Sequence, residues 1–102
     1  MDEFNKWFDY RNFITSFKYD AIESEVEVVI AQDPETLKPS KSFVLKHVTK
    51  LVVYRYHDPK DISLGDCESY KIHEKQGIYE HSINTGDALI TIESLCKFEM
   101  MR

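Results

Sequence analysis

The run Glu25-Val26-Glu27-Val28-Val29-Ile30 constrains the fold more than any other part of the chain. Its first four residues alternate acid with valine, a period of two that puts both carboxylates on one side of an extended strand and both valines on the other. The last three are apolar without interruption, as expected where a strand passes from the rim of a sheet toward its middle. A helix would scatter these side chains around its circumference, and β-branched residues fit a pleated surface better.

The remainder of the chain supplies partners for this strand. Phe13 to Tyr19 reads as extended, with Phe13, Phe17 and Tyr19 expected on one face, and Asp20-Ala21-Ile22-Glu23 reads as the turn that follows it. Gln32 to Lys41 holds Pro34 and Pro39 among polar residues and is expected to be a long hairpin connection, not a domain boundary. Ser42 to Lys46 and Lys50 to Tyr56 are two further β segments, with a bulge or corner at His47-Val48-Thr49. His57-Asp58-Pro59-Lys60-Asp61 stops the run, because Pro59 cannot donate to a ladder and aspartate favours turns.

After the turn-rich stretch Asp61 to Asp66, three segments follow at hairpin spacing: Cys67 to Glu74, Ile78 to Ile83, and Ala88 to Phe98, the last expected to be the longest strand. Lys75-Gln76-Gly77 and Asn84-Thr85-Gly86-Asp87 are the turns between them. At the start of the chain Phe4, Trp7 and Phe8 fall at i, i+3 and i+4, the spacing of one short helical face. The expected fold is a single, mainly antiparallel β domain over residues 1–102. It has six or seven strands and a short N-terminal helix, packed as a small sandwich or a strongly curved sheet.

Composition narrows the function classes. A chain of 102 residues has room for one core. Thirteen basic against eighteen acidic side chains give a net charge of -5, a field that repels phosphate backbones and anionic lipid but favours encounter with a basic protein. Nucleic acid and membrane are therefore not expected as partners. The beginning of the chain lacks a basic region followed by an apolar run, and no stretch approaches the roughly 20 apolar residues that span a bilayer, so a cytoplasmic location is expected. Cys67 and Cys96 form no Cys-x-x-Cys motif and are expected to be reduced and buried.

Candidate chemistry is sparse. His47, His57, His73 and His81 follow neither His-x-x-x-His nor His-Glu-x-x-His. His73 and His81 flank Gly77 and are expected to face each other across a hairpin, where a solvated or hydrogen-bonded pair is a simpler reading than a metal site. Glu25 and Glu27 lie about 7 Å apart on one strand face, a separation found in inverting glycosidases, yet nothing nearby supplies an apolar pocket to tune one of them. Asp58, Asp61 and Asp66 lack the glycine and terminal glutamate of a calcium loop. No nucleophile elbow and no phosphate loop is present, so neither enzyme chemistry nor a cofactor is expected.

Aromatic residues are the strongest remaining signal. Trp7, Phe8, Tyr10, Tyr54, Tyr56, Tyr70 and Tyr79 exceed what so small a core requires, and tyrosine and tryptophan are favoured at interface hot spots. Tyr54 and Tyr56 share one face of a strand whose other face carries Val53 and Arg55. The partner-binding set expected from sequence is Tyr54, Tyr56, Asp58, Asp61, Asp66, Glu68, Tyr70 and Tyr79, offering acids and aromatics to a protein partner. A curved sheet enclosing a small ligand or metal beside Tyr54, Tyr56 and a histidine is an alternative, as is a homodimer formed through edge strands.

Four segments carry a family resemblance: Phe43 to Leu51, Asp61 to Asp66, Gly77 to Ile83, and Ala88 to Glu93. Together they cover about half the chain and resemble a loose group of small bacterial β proteins, among them immunity proteins encoded beside polymorphic or contact-dependent toxins. The resemblance implies a non-enzymatic protein that neutralises a toxin by binding it, and the net charge makes a basic toxin domain the expected partner.

Overall fold

The structure is a computed structural model that describes residues 3–8, 12–32, 40–56 and 65–101, with the side chains of Gly65 and Asp66 outside that description. A single turn of helix, α1 (Glu3–Trp7), precedes eight strands: β1 (Phe13–Asp20), β2 (Glu25–Ala31), β3 (Ser40–Leu45), β4 (Val48–Arg55), β5 (Gly65–Lys75), β6 (Ile78–Thr85), β7 (Ala88–Ser94) and β8 (Glu99–Met100). Their hydrogen-bonded order is β4-β7-β6-β5-β1-β2-β3-β8. All ladders are antiparallel. The order divides into two four-stranded layers that pack as a small sandwich.

β5 joins the two layers. Its first residues, Gly65 and Asp66, pair with Ile14 and Phe13 of β1, and from Cys67 onward it pairs with β6. A bulge between Cys67 and Ser69 marks the change of partner, as expected where a strand bends from one sheet to another. At the far side, Lys46-His47 carries the chain from β3 to β4, with His47 at φ 55° in the left-handed region. The Val48 N–H then donates to the Ser24 carbonyl at 2.9 Å, and a bulge follows between Val48 and Lys50. The corner expected at His47-Val48-Thr49 is therefore present.

The core lies between the layers. Val26, Val28 and Ile30 of β2 are fully buried together with Ile14, Phe43, Leu45, Ile83, Ile90 and Ile92. α1 closes one end: the Phe4 ring stacks on Phe98 at 3.9 Å and meets Phe43 and Tyr70 edge-on at 5.2 and 4.8 Å. The i, i+3, i+4 reading of Phe4, Trp7 and Phe8 is thus correct, and Phe8 N–H closes the turn on the Phe4 carbonyl.

Three expectations need correction. First, Phe13 does not share a face with Phe17 and Tyr19. The register slips between Ile14 and Ser16, so Ile14, Phe17 and Tyr19 oppose the buried Ile30, Val28 and Val26, and Phe13 falls on the other side. Second, strand β7 ends at Ser94 instead of running on to Phe98. The Ser94 hydroxyl donates to the Cys96 carbonyl at 2.6 Å and the Leu95 N–H donates to the His47 carbonyl, which turns the chain out of the ladder; β5 is the longest strand instead. Third, the strands number eight among the described residues, β8 being a two-residue edge that sequence patterning is too short to reveal.

Candidate functional site

The outer face of the β4-β7-β6-β5 layer can be laid out residue by residue from its registers. One row across the four strands is Tyr54, Leu89, Asn84, Ser69, and the next is Val52, Thr91, Ser82, Lys71. A third row is Lys50, Glu93, Glu80, His73. None of these twelve side chains is buried. Two rows are therefore neutral apart from Lys71 and combine tyrosine and aliphatic surface with the short polar side chains of Ser, Thr and Asn. That is the composition of protein-recognition surfaces: rigid amphipathic anchors among adaptable hydrogen-bonding groups.

Tyr54 is the anchor of this face, 63% exposed at its edge. Its ring meets that of Tyr56 edge-to-face at 5.8 Å, and Tyr56 in turn donates its hydroxyl to Asn84 Oδ1 at 2.9 Å. The Tyr56 N–H donates to the Asp87 carbonyl, so the β6–β7 turn holds the backbone beneath the pair. That turn is itself fixed by buried Thr85, whose Oγ1 accepts from the Asp87 and Ala88 N–H groups and donates to the Ala88 carbonyl. Tyr56 is thus held by hydrogen bonds at its backbone and its hydroxyl, with the Tyr54 ring packed against it, which lowers the entropy a partner must remove on binding.

The third row carries its own electrostatic pattern. Glu80 and Glu93 stand directly opposite each other, an unfavourable pairing of like charges, with Lys50 and His73 on the outer strands beside them. One edge of the face is therefore polar and charged while the other is aromatic.

Of the residues expected to bind a partner, the structure brings Tyr54 and Tyr56 together on this face. Glu68 is exposed at the β5 bulge. Asp58 and Asp61 lie outside the described residues; the Asp66 backbone pairs with Phe13, and its side chain lies outside the description. Tyr70 and Tyr79 point to the inner side of the same layer: Tyr70 packs on Phe4, Phe8 and Phe98, and Tyr79 lies beside His81 with the Lys97 ammonium 5.4 Å from its ring centroid. Leu89, Asn84, Val52 and Thr91 are the members that sequence reasoning missed. Alternation in β7 does reveal which side Leu89 and Thr91 occupy, but only the pairing register places them beside Tyr54.

His73 and His81 do not face each other. The two-residue turn Gln76-Gly77 pairs Lys75 with Ile78, so His81 opposes Ile72 and His73 opposes Glu80. The two histidines are one step out of register and point to opposite sides, His73 exposed and His81 fully buried. His47 is exposed at the β3–β4 corner, and His57 lies outside the described residues. Among the described residues no group of three or more His, Cys, Asp or Glu side chains is placed to hold a metal. Neither Cys67 nor Cys96 is in a disulfide; Cys67 is buried as expected, and Cys96 is half-buried instead of buried.

His81 sits at the centre of a buried polar relay. Its Nδ1 lies 2.7 Å from the Tyr70 hydroxyl and its Nε2 2.8 Å from Ser94 Oγ. Ser94 has one hydrogen, and that hydrogen goes to the Cys96 carbonyl. Nε2 must then be the donor to Ser94, and Nδ1 the acceptor from Tyr70. On paper this is a serine, a histidine and an orienting hydroxyl at triad distances. Chemically it is the reverse of a triad, since the histidine gives its proton toward the serine instead of taking one, and Ser94 is fully buried. The relay satisfies polar groups inside the core and leaves no buried side-chain nitrogen or oxygen unpartnered among the described residues.

Among the described residues no helix is long and apolar enough to cross a membrane. No family model, no curated protein and no solved structure matches the chain.

Proposed function

We propose that the protein is a non-enzymatic protein-binding module, in the manner of an immunity protein that neutralises a bacterial toxin by direct binding. The observation that carries this reading is the Tyr54–Tyr56 pair, held edge-to-face and exposed at the rim of a face of Leu, Val, Ser, Thr and Asn. Aromatic anchors that are both rigid and exposed cost little entropy to engage and gain much area when covered. The net charge of -5 favours a basic partner, acting mainly through the rate of encounter. A second acidic feature agrees: the β1–β2 turn carries Asp20, Glu23 and Glu25 around Ile22, which is 92% exposed.

Co-expression with the product of the neighbouring gene tests the proposal. A complex that survives purification and rescues growth from that product's toxicity is the expected outcome. Tyr54→Ala with Tyr56→Ala should weaken the complex by at least about tenfold, since hot-spot truncations exceed about 1.4 kcal/mol. Neither complex nor rescue with the neighbouring product would remove the reading.

A further inference from the structure

We infer that β4 is a self-pairing edge, through which two copies of this chain join in a reversible antiparallel dimer. Among the described residues β4 has one strand neighbour, β7, and stands at the end of the strand order. The direction of its unshared backbone groups follows from one hydrogen bond. Tyr56 N–H donates to Asp87 across the β4–β7 ladder, so by the alternation of an antiparallel pair Tyr54 and Val52 also face β7. The N–H and C=O groups of Leu51 and Val53 then point to the open side. The opening begins only past Val48, whose N–H is already given to the Ser24 carbonyl.

An edge of this kind normally carries protection: a proline, a short length or inward-pointing charge. The stretch Leu51-Val52-Val53-Tyr54 has none of these, and Val52, Val53 and Tyr54 are all exposed. Two basic residues flank it, Lys50 before and Arg55 after, and the position of Lys50 decides who the occupant is.

Placing a two-fold axis at Val52 pairs every residue from Thr49 to Arg55 with a residue of the second copy. Leu51 and Val53 of one copy then exchange both N–H···O=C bonds with Val53 and Leu51 of the other, using all the open backbone groups named above. Val52 meets Val52 on the axis, at a non-hydrogen-bonded position where side chains approach most closely. Lys50 lands opposite Tyr54 of the second copy, a cation against an aromatic face, and Arg55 lands opposite Thr49. No like charges oppose each other in this register, although β4 itself carries only positive charges. The strand's own sequence thus supplies a partner for each residue from Lys50 to Tyr54.

The result is a continuous eight-stranded layer with a Tyr54–Tyr56 pair on each half of its outer face. An edge pairing of this length falls below the area of a standard stable interface, so the dimer is expected to be weak and concentration-dependent. The inference does not depend on the proposed toxin partner, and its test uses this chain alone.

Sedimentation equilibrium under reducing conditions, from about 10 μM to about 1 mM, should show the dimer fraction rising with concentration over the range of weak affinities. Val52→Lys and Val52→Glu each place like charges on the axis and should weaken self-association at least about tenfold. Mixing the two variants should restore a dimer, now as a heterodimer. Circular dichroism of each variant confirms that the exposed substitution leaves the fold intact. A wild-type chain that stays monomeric throughout, or variants that dimerise as well as wild type and gain nothing on mixing, would overturn the inference.

Discussion

His81 gives the hydrogen on its Nε2 to Ser94 Oγ at 2.8 Å, because the single hydroxyl hydrogen of Ser94 is committed to the Cys96 carbonyl at 2.6 Å. That direction sets the whole relay, since it leaves His81 Nδ1 as an acceptor for the Tyr70 hydroxyl. The relay ties β5, β6 and β7 together through side chains and fixes the point at which β7 leaves the ladder.

Stability should respond to this wiring unequally. Ser94→Ala removes an acceptor from Nε2 and a donor from the Cys96 carbonyl at a fully buried position, and should cost about 2–3 kcal/mol. Tyr70→Phe withdraws the donor to Nδ1 from a half-buried ring and should cost about 1–2 kcal/mol. Urea titration of both single variants and the double variant measures the coupling, which should make the double variant less destabilised than the sum. Equal and additive losses would contradict the assigned direction of the hydrogen bonds.

The Gln76-Gly77 turn gives a prediction of opposite sign. Both residues sit at positive φ, 54° and 81°, the pattern of a type I′ hairpin. Glycine suits its position, whereas glutamine pays for a left-handed backbone that asparagine adopts more readily. Gln76→Asn should therefore stabilise the protein by about 0.5 kcal/mol, within the range of turn optimisation. Gly77→Ala should destabilise it by about 1 kcal/mol through backbone strain alone, since a Cβ there meets nothing within 4 Å. Thermal melts of both variants check the two signs.

Removing the ring of Phe4 should have the largest effect. The side chain is fully buried and contacts Phe8, Phe43, Tyr70 and Phe98, so it couples α1 to both layers. Phe4→Ala should cost about 3–5 kcal/mol, enough to unfold a marginal domain. Trp7→Ala, at a half-buried position on the same helix, should cost less. Denaturant unfolding ranks the pair, and a smaller loss at Phe4 than at Trp7 would mean that the helix is not anchored by Phe4.

These sensitivities also show what the sequence could and could not disclose. Alternation at Glu25 to Ile30 revealed a strand with one buried face, because period two is a local property of the chain. The helix spacing of Phe4, Trp7 and Phe8 was legible for the same reason. Phe13 was misplaced because a single bulged residue reverses every side chain beyond it, and nothing in Thr15 or its neighbours announces the extra residue. His81 was legible as a histidine of a hairpin but not as the centre of a relay, since Ser94 reaches it from another strand. The Tyr54–Tyr56 pair was visible in β4, while Leu89 and Asn84 became its neighbours only through cross-strand register, a non-local fact.

Substitutions on the outer face should separate binding from folding. Tyr54 pairs with Leu89 across the β4–β7 ladder, and cross-strand contacts of this kind contribute about 0.2–1 kcal/mol each. Tyr56 adds one exposed hydrogen bond to Asn84, which competes with water and contributes little. Tyr54→Ala and Tyr56→Phe should therefore each shift stability by less than about 1 kcal/mol. Ile22→Ser, at the tip of the β1–β2 turn, should leave stability within about 0.5 kcal/mol, because the side chain is 92% exposed and Asp20 Oδ1 holds the turn by accepting from the Ile22 and Glu23 N–H groups. Chemical denaturation of the three variants is the measurement. A loss of several kcal/mol at Tyr54 would show that its ring serves the fold, and an interface role for this face would lose its main support.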